Sequence, residues 1–238
     1  MDHELRRRRL TASHLEGKIR EFHFHLRAVV AGCDASSVEA AASGSKSYED
    51  AVIFGFSALS NCVQALKDAL HITLAAEFPW SNIHAARHGK FMHHVRNAMT
   101  HDGHPVISAW SNGLFYVPTN IVRLDHRNKL VEIEAPTTDI RSLCLEFSTD
   151  FCRDIRAVLE GIQSDTALHR PPMEPSEVIE AAMRSSLMPA YVKEALASDS
   201  NAFAEFLANE PHDPVGKAIS ALDRVIFYCK EKLATACN

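Results

Sequence analysis

The chain has 238 residues, of which 46% are hydrophobic and 23% charged, values typical of a globular domain with a sizeable core. Its formal net charge of −5 argues against nucleic-acid binding through bulk positive charge, so such binding would need a local basic patch. The six cysteines are scattered without a Cys-x-x-Cys pair, which indicates neither a zinc site nor a disulfide framework. No run of about 18 apolar residues could span a membrane. We therefore expect a cytoplasmic protein that makes no membrane contact.

Four arginines at residues 6 to 9 open the chain, and no apolar segment of a signal peptide follows them. This run is typical of a solvated terminal tail, with electrostatic RNA binding as the alternative. Apolar residues then recur at helical spacing and predict a first helix over about 13–31. Residues 32–47, rich in Ala, Ser and Gly, predict a loop. A second, longer helix is predicted over about 48–77.

Pro79 ends that second helix, because proline cannot continue the hydrogen-bonding pattern. Ser81 or Asn82 can cap a third helix, which ends near Gly103. Beyond Gly103 the apolar residues no longer recur at helical spacing and instead follow the alternating pattern of strands. Four short runs rich in β-branched and aromatic residues are separated by turn-forming residues, and they lie at 106–110, 114–117, 121–124 and 130–133. A small antiparallel sheet is therefore predicted at about 105–135.

Thr138 or Asp139 can cap a fourth long helix. The proline-rich segment 169–175 indicates a linker, and three or four shorter helical segments are predicted in 176–236. We expect a mainly α protein, with a bundle of four long helices and a small antiparallel β insertion before the fourth. Residues 1–168 would form this bundle, and residues 169–238 a C-terminal helical subdomain or packing arm.

The third predicted helix carries the clearest functional signal. On a helical projection its apolar side chains share one side, and a polar face lies opposite with Arg96 at its margin. That face contains Lys90, His93, His94, Asn97 and His101. No acidic residue occurs from residue 78 to 101, although the chain as a whole is net acidic. We therefore predict an anion-facing surface on which Arg87, Lys90, His93 and His94 contact RNA.

Arg96, Asn97 and His101 follow the spacing Arg-polar-x₃-His near the end of this helix. In this motif and in its helix order the chain resembles the HEPN superfamily, over at most residues 13 to 165. The resemblance implies a metal-independent, dimeric endoribonuclease of toxin–antitoxin or phage-defence type that uses no cofactor. Arg96, Asn97 and His101 would be its catalytic residues, and an antitoxin or regulatory protein would be its partner. Some members of the superfamily are non-catalytic binding modules, so that alternative stays open.

Arg96 and His101 lie about 140° apart on an ideal helix and do not project side by side. Either the Arg96 side chain bends across the margin of the helix, or two copies bring their helices together across a two-fold axis. The sequence therefore leaves two ways to assemble one site, and the second predicts a homodimer with the third helix near its axis.

A second class of function comes from His84 and His88, which are four residues apart. On a continuous helix they would share a face and could bind a metal ion inside the bundle. The same helix lacks the carboxylates that bundle metal sites usually add, so buried, hydrogen-bonded histidines are the simpler interpretation. A partner-binding protein without turnover is the third interpretation.

Overall fold

The computed structural model describes residues 2–125, 127–209 and 211–235. In this part the chain is mainly helical, with two small antiparallel strand pairs. The prediction of a mainly α protein with a small antiparallel β segment is therefore confirmed. The helices are α1 (His3–Ser43), α2 (Glu49–Leu74), α3 (Trp80–His84), α4 (Gly89–Asp102), α5 (Ile140–Glu160), α6 (Pro175–Arg184), α7 (Ala190–Ser198), α8 (Ser200–Asn209) and α9 (Pro214–Ala234). The strands are β1 (Ala109–Ser111), β2 (Leu114–Tyr116), β3 (Ile121–Leu124) and β4 (Leu130–Ile133).

Helix α1 continues through most of the predicted 32–47 loop, so that prediction was wrong. Alanine is the best helix former, which favours continuation of the helix. The serine hydroxyls are satisfied within it, on carbonyl groups one turn earlier. Ser37 donates to Cys33 O at 3.1 Å, and Ser43 donates to Glu39 O at 3.0 Å. The helix ends where Gly44 takes a left-handed φ of 70°.

The four N-terminal arginines lie within the first turns of α1, so the predicted solvated tail was also wrong. Arg9 is buried, and its Nε donates to Ala167 O at 2.7 Å. Arg8 forms an ion pair with Asp165 at 2.7 Å and donates to Thr73 O at 2.7 Å. These bonds attach the start of α1 to the segment that follows α5 and to the end of α2.

The predicted third helix is broken into α3 and α4. His88 has a left-handed φ of 61°, and Gly89 begins α4 directly beneath the end of α3. A Cβ atom at Gly89 would overlap the carbonyl oxygen of Ile83, so this turn needs a glycine. Helical periodicity continues across the break, which is why the sequence pattern did not reveal it.

The core is built chiefly by α1, α2, α5 and α9. Helix α1 packs along α2, and α9 packs on both α5 and α1. Nine residues of α9 are buried, among them Leu222 and Val225 with no exposed surface. Helices α6 to α8 instead pack mainly on one another. The last helix of the C-terminal region therefore shares the hydrophobic core of the bundle.

The β segment forms two separate hairpins. In the first, Trp110 pairs with Phe115 across a turn in which Asn112 and Gly113 both have positive φ. This hairpin packs on α1 and α5, and Trp110 Nε1 donates to the buried Ser36 at 3.1 Å. In the second, β3 pairs with β4 from Ile121↔Ile133 to Leu124↔Leu130, and β4 contacts α4.

Asp139 caps α5 as predicted, since its side chain accepts from Ser142 N at 3.0 Å. Among the helices of the described residues, none combines the length and the apolar character needed to cross a membrane.

Candidate functional site

Helix α4 presents its two sides as the sequence predicts. Met92, Val95 and Ala98 are fully buried and anchor the helix, which packs on α2. The opposite side faces the β3–β4 hairpin across an open groove of about 670 Å³, here called the α4 groove. Residues of α4 and of the hairpin segment line it: His93, His94, Asn97, His101, Asp102, Arg123, Leu124, Asp125 and Val131.

Two of the three motif residues, Asn97 and His101, line the α4 groove. Asn97 is half-buried, whereas His101 is exposed near the end of the helix. Arg96 is not a lining residue, but its Nη1 donates to Asn97 Oδ1 at 3.0 Å. Its Nε is buried and, among the described residues, has no hydrogen-bond partner. One copy of the chain therefore links Arg96 to Asn97 and places Asn97 with His101, without bringing all three side chains into one groove.

An ion pair closes one side of the groove beside His101. Arg123 of β3 bonds both carboxylate oxygens of Asp102, with its Nη2 at 3.1 Å from Oδ1. The hydrogen bond from Arg123 is the main reason why the pKa of Asp102 is lowered. Neither residue was predicted as part of the site, because Arg123 lies in a hairpin whose position relative to α4 is not encoded in local spacing.

Four aromatic rings form a stack at the start of the groove. His93 lies on Trp80 with ring centroids 3.8 Å apart, and His94 stacks on His93 at 4.8 Å. His84 Nε2 lies 3.0 Å from His93 Nδ1, at hydrogen-bonding distance. Burial, and then the neighbouring His94 and His84, lower the pKa of His93 to about 4.

The pKa values of His84 and His94 are also lowered, in each case chiefly by burial. These three imidazoles are therefore neutral near pH 7, so His93 and His94 offer hydrogen bonds and ring surface rather than positive charge. Trp80 contacts His93 with one face of its ring.

Arg87 lies in the turn between α3 and α4 and contacts α5. Its Nε and Nη2 bond the two carboxylate oxygens of Asp150 at 2.7 and 3.2 Å, and Glu146 is 3.8 Å away. The hydrogen bond from Arg87 lowers the pKa of Asp150. The sequence-predicted RNA contact at Arg87 therefore competes with a bidentate ion pair, whereas Lys90 is exposed beside His88 and His94.

The break between α3 and α4 also separates the proposed metal pair. His84 contacts His93, whereas His88 Nε2 lies 2.8 Å from Glu146 Oε2. The two histidines therefore engage different groups and do not form the i,i+4 pair of a continuous helix.

Comparison of the chain with protein-family models, with curated proteins and with solved structures found no match. The resemblance to the HEPN superfamily therefore rests on the motif at residues 96 to 101 and on the order of the helices.

Proposed function

We propose that the chain is a metal-independent endoribonuclease that binds RNA along the α4 groove, in a toxin or phage-defence role. The observation that carries this proposal is the shared position of Asn97 and His101 in one open groove, with Arg96 bonded to Asn97. An imidazole, a carboxamide and a guanidinium are sufficient for phosphodiester cleavage of RNA, because RNA supplies its own nucleophile.

In the proposed reaction the 2′-hydroxyl of the substrate attacks the adjacent phosphorus, and the bond from phosphorus to the 5′ oxygen breaks. His101 transfers a proton as general base or acid. Arg96 stabilises the negative charge that grows on the phosphoryl oxygens, and Asn97 orients the imidazole or donates to the phosphate. The products carry a 2′,3′-cyclic phosphate and a 5′-hydroxyl. Of the two proton transfers, the one from the 2′-hydroxyl and the one to the 5′ oxygen, His101 carries one and water the other, so the step balances without a metal ion.

Because Arg96 does not line the groove that contains His101, we propose that a second copy of the chain completes the site. Two α4 helices that meet near a two-fold axis would place the Arg96 side chain of one copy against the His101 imidazole of the other. The active species is then a homodimer.

The test measures cleavage of a defined RNA by the full-length protein and by its His101→Ala variant. Loss of the proton-transfer group should reduce the rate by a factor of about 10² to 10⁴. His14→Ala, an exposed histidine of α1 outside the groove, should leave the rate unchanged. A 2′-deoxy substitution at the scissile nucleotide should abolish cleavage, and cleavage should persist in EDTA. Cleavage that survives the deoxy substitution or His101→Ala would overturn the mechanism.

A second candidate function is binding of a nucleotide or a protein without turnover. It is favoured by the limited positive charge of the surface, since His93 and His94 are neutral near pH 7 and Arg87 is paired with Asp150. RNA that binds the wild-type protein and remains intact under all conditions would support this alternative and reject the nuclease.

A further inference from the structure

Helices α1 and α2 bring together three side chains with metal-ligating atoms, Glu21, His25 and Cys62. One ligand atom of each lies within 4.8 Å of those of the other two. Glu21 and His25 are four residues apart and therefore share a face of α1. Cys62 comes from α2, which packs along α1. We propose that these three residues bind a single divalent transition-metal ion of the Zn²⁺ type.

The donor set matches the preferences of that ion. Zn²⁺ takes thiolate, imidazole and carboxylate ligands in tetrahedral geometry, and three protein ligands leave the fourth position to water. With bond lengths of about 2.0–2.3 Å, tetrahedral ligand atoms lie roughly 3.3–3.8 Å apart. Because the ligand atoms lie within 4.8 Å of one another, they have to approach by at most about 1.0–1.5 Å. Rotation of the exposed Glu21 and partly exposed His25 side chains can supply this without movement of the helices.

Burial gives the site an inner and an outer side. Cys62 is 6% exposed, His25 is partly exposed and Glu21 is exposed, so an ion can enter from solvent and reach the thiol last. Phe22, next to Glu21 on α1, and Leu59, three positions before Cys62 on α2, are fully buried. The packing of α1 along α2 therefore positions the backbone of the inner ligand.

The groups already in contact with the cluster are compatible with an ion. Lys18 Nζ bonds Glu21 Oε2 at 2.9 Å, which leaves the other carboxylate oxygen for coordination. Burial, with a smaller contribution from Glu21, raises the pKa of the Cys62 thiol to about 11, so an incoming ion has to displace a proton. The site lies on the α1–α2 pair and uses no residue of the α4 groove.

The experiment titrates the full-length protein with Co²⁺, which substitutes for Zn²⁺ and reports its ligands by absorption. Coordination by Cys62 should produce a thiolate-to-cobalt charge-transfer band together with the intense visible bands of a tetrahedral site. Addition of Zn²⁺ should remove both by displacing Co²⁺. Absence of any charge-transfer band in the parent protein would overturn the proposal.

Two variants with matched controls identify the ligands. Cys62→Ser should lose the charge-transfer band, whereas Cys33→Ser, another buried cysteine, should retain it. His25→Ala should weaken Zn²⁺ binding by at least about tenfold, because loss of a direct ligand costs no less than loss of a supporting group. His14→Ala, also on α1, should bind as the parent does.

His25 is not part of the buried core, so the His25→Ala protein should stay folded. The proposal can therefore be tested even if Cys62→Ser fails to fold. Unchanged Zn²⁺ affinity in His25→Ala would locate the bound metal elsewhere and reject the proposed site. Because the readouts are absorption and affinity, failure here is independent of whether the protein cleaves RNA.

Discussion

The imidazole of His93 lies flat against the indole of Trp80, with ring centroids 3.8 Å apart and the ring planes inclined by 14°. Trp80 begins α3 and His93 belongs to α4, so this stack holds two helices together across the turn at residues 85 to 88. His84 and His94 complete the cluster. The same ring that forms part of the α4 groove is thus also a structural contact, and its protonation affects both roles.

Protonation of His93 should destabilise the protein at acidic pH. Its pKa is about 4 in the folded chain against an ordinary 6.5, so between these values the unfolded chain binds a proton that the folded chain does not. The free energy of unfolding should therefore fall as the pH falls through this window, and His93 should have no effect above it. Urea unfolding measured at a series of pH values from about 7 to about 4 tests this.

The matched variants for that experiment are His93→Phe, which keeps a flat ring on Trp80 but cannot titrate, and His14→Phe at an exposed position. His93→Phe should flatten the decline in stability towards acid, whereas His14→Phe should leave it as in the parent. An equally steep decline in His93→Phe would show that other groups control the acid response.

Replacement of Gly89 by alanine should destabilise the protein by about 1–3 kcal/mol, because the added methyl group overlaps the carbonyl oxygen of Ile83 and forces α3 and α4 apart. Thermal unfolding followed by circular dichroism measures this change. The control is Gly17→Ala on α1, where a Cβ atom meets nothing within 4 Å. The free energy of unfolding of that variant should rise by about 0.5–1 kcal/mol, because alanine favours the helix more than glycine does. A Gly89→Ala protein as stable as the parent would contradict the observed turn.

Leu222→Ala in α9 should lower the free energy of unfolding by about 2–5 kcal/mol, since the Leu222 side chain is fully buried and α9 packs on α1 and α5. Leu187→Ala, at a leucine that is 92% exposed, should change stability by less than about 0.5 kcal/mol. Denaturant unfolding distinguishes the two. If α9 did not belong to the core of the bundle, Leu222→Ala would instead produce a separate, minor unfolding transition at lower denaturant concentration and leave the main transition unchanged.

The dimeric form of the proposed nuclease predicts that two inactive variants should complement each other. In a mixture of Arg96→Ala and His101→Ala subunits, each mixed dimer contains one site with both groups intact, if the site takes Arg96 and His101 from different copies. Equal amounts should restore about a quarter of the wild-type rate, since half the dimers are mixed and each has one of two sites. A mixture as inactive as its components would exclude a site shared between subunits.

Local patterns in the sequence predicted much of the fold. The apolar stripe of α4, the cap at Asp139 and the hairpin turn at Asn112-Gly113 depend on residues within a few positions of each other, and the structure contains all three. The position of Asn97 and His101 on the polar side of α4 follows from the same periodicity, as does that of Arg96 at its margin. These features could be predicted because helix and hairpin geometry is set by nearest neighbours along the chain.

Other features depended on distant residues and were missed. The break before Gly89 reflects the close approach of Ile83, which helical periodicity does not report. Arg87 looked like a free cation on a stretch without acidic residues, yet its carboxylate partners come from α5. The scattered cysteines, without a Cys-x-x-Cys pair, argued against a zinc site. The cluster of Glu21, His25 and Cys62 joins residues distant in the chain, and only the packing of α2 on α1 brings them together.

The sequence by itself determined most of the helical and extended segments, apart from the second half of α1 and the break before α4. It also determined the apolar side of the amphipathic helices, because these features depend on side-chain spacing and local backbone preferences. The tertiary structure decided which charges are neutralised, which histidines are desolvated and which ligand atoms meet. Burial and long-range ion pairs set those properties, and they arise only when elements distant in the chain pack together.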